Sequence, residues 1–136
     1  SSDLLLFEIG ERKLLFPGDA QIENWNYALK TAPEKNRNRW RNLLEDVDYY
    51  KVGHHGSLNG TPKTLWGLFD GKRSKYATNE PLVSALSTMG GLHGSMYRGT
   101  EVPRRPLLQA LKEETDYLST QDRRGNTYAE DVLLEI

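Results

Sequence analysis

The chain contains no cysteine, which removes disulfides, thiolate metal ligands and cysteine nucleophiles in one step. Histidine is scarce too: there are three, so a metal site would draw on few imidazoles, with Asp, Glu and water. No apolar run approaches the roughly 18 residues that suggest a membrane span. Ser1-Ser2-Asp3 does not begin a charged segment leading into an apolar one, so no signal peptide is visible. Charge of one sign is not in excess either. A formal net charge of −1 and a pI near 6.3 argue against a generic DNA-coating role. These absences leave the compartment open, with the balance toward the cytoplasm.

What is present is ordinary for a folded domain. The 136 residues are 37% hydrophobic and 27% charged, which suits a soluble globular chain with a modest core. No repeat, low-complexity tract or linker divides them, so residues 1–136 read as one domain.

The opening reads as a hairpin: Leu4 to Ile9, a turn at Gly10-Glu11-Arg12, then Lys13 to Phe16. The continuous apolar runs predict strands buried on both faces. Glu23 to Lys30 predicts a short helix interrupted by Pro33. Glu34 to Glu45 predicts a second, with Trp40, Leu43 and Leu44 inward. Val47 to Val52 reads as a strand, and Thr61-Pro62 as the cap and opening of a helix running to Phe69. Leu82 to Thr88 fits a buried strand, and Leu92 to Glu101 a glycine-rich loop containing His93. Pro106 to Thr115 fits a helix with Leu107, Leu108 and Leu111 inward. Tyr117 to Thr120 fits a strand, Asp122 to Asn126 a turn, and Thr127 to Ile136 a last edge strand. Strands alternating with helices make the fold α/β.

Two segments carry the chemistry: Phe16-Pro17-Gly18-Asp19-Ala20 and Val52-Gly53-His54-His55-Gly56-Ser57. Each is an apolar strand ending in glycine and a potential metal ligand. A carboxylate and an imidazole on loops at neighbouring strand ends suit a borderline divalent cation such as zinc. The plainer reading of Asp19 is the N-cap of the following helix. Adjacent histidines on an extended backbone cannot both point one way, which leaves one of His54 and His55 as a ligand. The other is then free to bond substrate or to support the site. A Ser57–His55–Asp19 nucleophilic arrangement lacks the Gly-x-Ser-x-Gly elbow, and Ser57 reads better as a turn residue. His93 reads first as a loop histidine and second as a substrate contact. Lys30, Lys35, Arg37, Arg39 and Arg41 read first as a solvated helix face and second as a phosphate contact. Asn59-Gly60-Thr61 matches a glycosylation sequon by chance.

Taken in order, these segments resemble the C-terminal half of a metallo-β-lactamase-fold hydrolase. The nearest branch is the one that includes the hydrolase domain of competence DNA-uptake proteins. Leu14 to Ala20 resembles the strand and Gly-Asp of that branch, and Asp48 to Ser57 its strand ending in His-His-Gly-Ser, 35 positions apart between Asp19 and His54. Ala85 to Thr88, the loop around His93, Val102 to Glu114, and Thr120 to Gly125 resemble its ending, so the likeness spans most of the chain.

The resemblance implies half of an αββα sandwich and a two-metal hydrolytic centre. The ions would be zinc, or manganese, generating hydroxide and clamping the oxygens of a phosphoester in a small molecule or nucleic acid. It implies Asp19 as the carboxylate bridging the metals, His54 as a metal ligand, and His55 beside the chemistry. The family's upstream His-x-His-x-Asp-His signature has no counterpart here, since no histidine precedes Asp19. The chain therefore reads as a fragment, catalytically incomplete and with no metal necessarily bound. Such a half-fold would expose apolar sheet, hidden by self-association or by the missing N-terminal half. The rival expectation is a non-catalytic interaction module that kept the fold and lost the metal site.

Overall fold

A computed structural model describes residues 4–74, 79–88 and 102–120, with 132 and 134. His93 and the turn and strand expected after residue 121 lie outside the described residues. The fold is α/β, with one mixed sheet of five strands in the order β1-β2-β3-β4-β5. Strand β1 (Leu5–Ile9) pairs antiparallel with β2 (Arg12–Phe16), and the turn between them uses Gly10 at φ 60°. Strands β3 (Tyr49–Lys51), β4 (Val83–Leu86) and β5 (Asp116–Ser119) then add in parallel to β2.

The parallel connections supply the helices. Between β2 and β3 run α1 (Ile22–Asn26), a π-helical turn (Tyr27–Thr31) and α2 (Glu34–Leu44). The single helix expected over Glu23 to Lys30 is thus two pieces. Pro33 opens α2, as a residue without an N–H can. Arg37 and Arg41 donate to the carbonyls of Lys30 and Leu29 at 3.1 Å, so part of the basic stretch satisfies the end of the preceding turn. Helix α3 (Lys63–Leu68) joins β3 to β4, and α4 (Arg105–Glu114) precedes β5. In α4, Leu107 and Leu111 are buried and Leu108 packs against the core, as its spacing predicts. Among the described residues no helix is long and apolar enough to cross a membrane.

One core holds these pieces together. Leu15, Tyr50 and Leu86 from the sheet meet Trp25, Leu29, Leu44, Leu65, Phe69, Leu107 and Leu111 from the helical side. Strand side chains alternate, so this core takes one face of the sheet. On the other face Leu5, Phe7 and Ile9 of β1 are 53%, 48% and 48% exposed, whereas Val83 of β4 is buried. This corrects the expectation that both hairpin strands are buried on both faces. Among the described residues β1 is an edge strand: Leu6 packs against the core, while Leu5, Phe7 and Ile9 face outward.

The N-terminal ends of the parallel strands are tied by charge. Asp48, 4% exposed, accepts from the Lys13 main chain at 2.8 Å, from Arg12 at 3.2 Å and from Lys72. Arg12 also holds Glu80 in a two-pronged pair at 2.7 and 2.9 Å. A cavity of about 360 Å³ opens there, lined in part by Arg12, Asp48, Glu80 and Asp116. It lies at the end of the sheet opposite the Asp19 and His54–His55 loops.

Candidate metal centre

Both chemistry-bearing loops leave the sheet at its C-terminal edge, from strands that are hydrogen-bonded neighbours. The first is a tight turn: Ala20 N–H donates to the Pro17 carbonyl at 3.0 Å, and Gly18 takes φ 54°. Asp19 stands exposed on this turn. The cap of α1 belongs to Gln21 rather than Asp19. Asn24 Oδ1 accepts the Gln21 main-chain N–H at 3.0 Å, a local bond that positions the start of the helix. The N-cap reading of Asp19 is therefore set aside.

The second loop departs from the extended backbone assumed for it. His54 and His55 adopt φ 49° and 51°, and Gly56 follows at 83°, so three successive residues are left-handed. A side chain in that region crowds the adjacent carbonyl, and two non-glycine residues in a row there are uncommon. Strand-like alternation therefore does not separate the two imidazoles here. Both histidines are exposed.

Local and distant contacts together hold the turn. Gly56 N–H donates to the Gly53 carbonyl at 3.1 Å, Ser57 N–H to the His54 carbonyl at 2.9 Å, and Arg104 N–H to the Gly56 carbonyl at 3.0 Å. A β-carbon on Gly56 would lie 2.7 Å from Pro103 Cβ, and one on Gly60 would lie 3.1 Å from both the Gly53 carbonyl and His54 Cβ. Ser57 acts as the expected turn residue, its Oγ accepting from Asn59 N–H at 3.2 Å. Thr61 does not cap α3, whose N-cap is Pro62. Its hydroxyl instead pairs with the Tyr50 hydroxyl at 2.7 Å beneath the loop. Burial pushes the Tyr50 phenol up to about 12, against the opposing hydrogen bond from Thr61.

The two loops touch. Gly53 runs against Pro17 and Gly18, and the side-chain amide of Gln21 reaches His54 Nδ1 at 3.4 Å. Sequence reading missed Gln21 and the Arg104 main chain as parts of this site. The spacing of Gln21 and Asn24 was the available signal for the first; nothing local signals the second.

The donor types suit a borderline cation, but their number does not complete a centre. Among the described residues no group of three or more His, Asp or Glu is placed to hold a metal ion. The two-ion centre implied by the resemblance is thus not made by these residues alone. Compared with protein-family models, curated proteins and solved structures, the chain matches none.

Proposed function

We propose that the chain is the C-terminal part of a metal-dependent hydrolase of the αββα metallo-β-lactamase type, acting on phosphoester or nucleic-acid substrates and incomplete on its own. In this reading Asp19 and His54 are metal ligands, His55 faces the substrate, and the remaining donors come from outside the described residues. The observation that carries it is the left-handed pair His54–His55 against the Asp19 turn. Glycine would take this conformation at no steric cost. Holding imidazoles there against strain marks the turn as selected for its side chains rather than its backbone.

The first test is turnover. With zinc or manganese added, this chain alone is expected to show no phosphodiesterase activity; robust turnover that vanishes in Asp19→Ala would overturn the claim of incompleteness. Weak zinc binding by the chain, measured calorimetrically, is expected to fall about tenfold or more in Asp19→Ala and in His54→Ala. Zinc binding indifferent to both variants would favour the second reading, a non-catalytic interaction module. That reading draws its support from the lack of a three-donor group among the described residues.

A further inference from the structure

Gln21 bridges the two loops through its side chain. It follows Asp19 by two residues and is half-buried, and its amide reaches Nδ1 of His54 at 3.4 Å across 33 positions of sequence. Both ends of this contact are held. The Gln21 main chain donates to Asn24 Oδ1 at 3.0 Å, and the turn before it is closed by the Ala20 N–H on the Pro17 carbonyl. The root of His54 is packed on its other side, since a β-carbon on Gly60 would lie 3.1 Å from His54 Cβ. An exposed imidazole otherwise samples two tautomers and several ring orientations, and a partner on one nitrogen selects among them. With Nδ1 turned to Gln21, Nε2 is the nitrogen left for a ligand.

We propose that Gln21 is a positioning residue for His54: from the first loop it holds Nδ1, so that the second loop presents Nε2. An amide suits this task because a half-turn exchanges its donor for its acceptor. While Nε2 keeps its proton, the amide N–H donates to Nδ1. Once Nε2 gives its lone pair to a cation, Nδ1 carries the proton and the amide oxygen accepts it. That second arrangement is the one that partners of metal-bound histidines provide. A glutamate at this position could only accept, and a leucine could do neither. The hold on Nδ1 stands on the contact itself; its meaning for a cation rests on the hydrolase reading.

The tautomer is the readout, taken from long-range proton–nitrogen correlation spectra at about pH 8.5, where an ordinary histidine is neutral. The metal-free natural chain is expected to carry the His54 proton on Nε2, and Gln21→Glu to move it to Nδ1. Gln21→Leu is expected to give the averaged signals of an unheld ring. His55 in the same spectra is the reference and should not change. A His54 still protonated at Nε2 in Gln21→Glu, or a His55 that shifts along with it, overturns the inference. If Gln21→Leu does not fold by circular dichroism, Gln21→Met takes its place with the same expectation. Zinc alone is then titrated into the three proteins. Binding is expected to weaken about tenfold in Gln21→Leu and to recover in Gln21→Glu. If the tautomer responds as described but zinc binds all three equally, Gln21 keeps its role and His54 is no metal ligand, so the hydrolase reading fails alone. Weakened zinc binding without a change of tautomer counts against Gln21.

Discussion

Gly53 lies so close to Gly18 that a β-carbon added to it would sit 3.0 Å from the Gly18 carbonyl oxygen and 3.2 Å from Pro17 Cγ. This contact joins the Asp19 turn to the histidine turn, and it is backbone against backbone, so neither side can yield by changing a rotamer. Gly53→Ala is expected to cost about 1–3 kcal/mol, as overpacking does in a filled interior. Urea denaturation measures it. The matched control is Gly67→Ala within α3, where a new β-carbon meets nothing within 4 Å. That change is expected to stabilise by about 0.5–1 kcal/mol through helix propensity. Equal effects at the two positions would mean that the two loops do not pack as described.

How much of this was legible beforehand follows from how far each determinant reaches. The hairpin, α2 and α4 declare themselves through local periodicity, and their bounds fall within a residue or two of those read from sequence. Burial of β1 was misjudged because an apolar strand is inward or outward according to what lies over the sheet, which its own residues do not encode. The left-handed His54–His55 turn was invisible for a similar reason: Pro103 and Arg104 that brace it lie far along the chain. Asp48 gave no signal either, since its partners Arg12 and Lys72 are 36 and 24 positions away.

Asp48 contributes to the acid limit of stability. Burial pushes its carboxyl up, but hydrogen bonds from Lys72, the Lys13 main chain and Arg12 outweigh that and hold it below the ordinary value of 3.8. A carboxyl depressed in the folded state contributes stability that is fully present above its unfolded pKa and is lost as pH falls through the folded one. The urea midpoint should therefore drop as the pH goes below about 4. Asp48→Asn should cost about 3 kcal/mol at neutral pH, because Arg12 and Lys72 lose their shared counter-charge. It should also flatten the part of the acid dependence that Asp48 supplies. An unchanged acid profile in Asp48→Asn would assign the effect to other carboxylates.

At the alkaline end Tyr50 contributes. Its phenol is fully buried, and burial raises it from an ordinary 10.0 to about 12. A phenol raised on folding contributes stability that is present below the unfolded value and lost as pH climbs from about 10 toward 12. Tyrosinate absorbance should thus show a late step from Tyr50, beyond the rise that burial also gives Tyr49, together with loss of near-ultraviolet circular dichroism. Tyr50→Phe should remove that late step. It should cost about 1 kcal/mol at neutral pH, since the Thr61 hydroxyl is left buried without its partner. A Tyr50→Phe titration indistinguishable from the natural chain would refute the assignment.

Strain at the histidine turn separates a functional residue from a structural one. His55 at φ 51° bears a steric penalty of about 1–2 kcal/mol that glycine does not. Glycine loses more backbone entropy on folding, about 0.5–1 kcal/mol, so His55→Gly should gain a net ~1 kcal/mol at most. His55→Ala keeps the β-carbon and hence the strain, and should gain nothing. The two variants lose the same imidazole, so a difference between them in urea isolates the backbone term. If the turn is kept for its side chains, His55→Gly raises stability while phosphodiester hydrolysis by the completed domain falls as far as it does in His55→Ala. A stability loss in His55→Gly equal to that in His55→Ala would show that the imidazole itself braces the turn, and the strained backbone would then no longer argue for function.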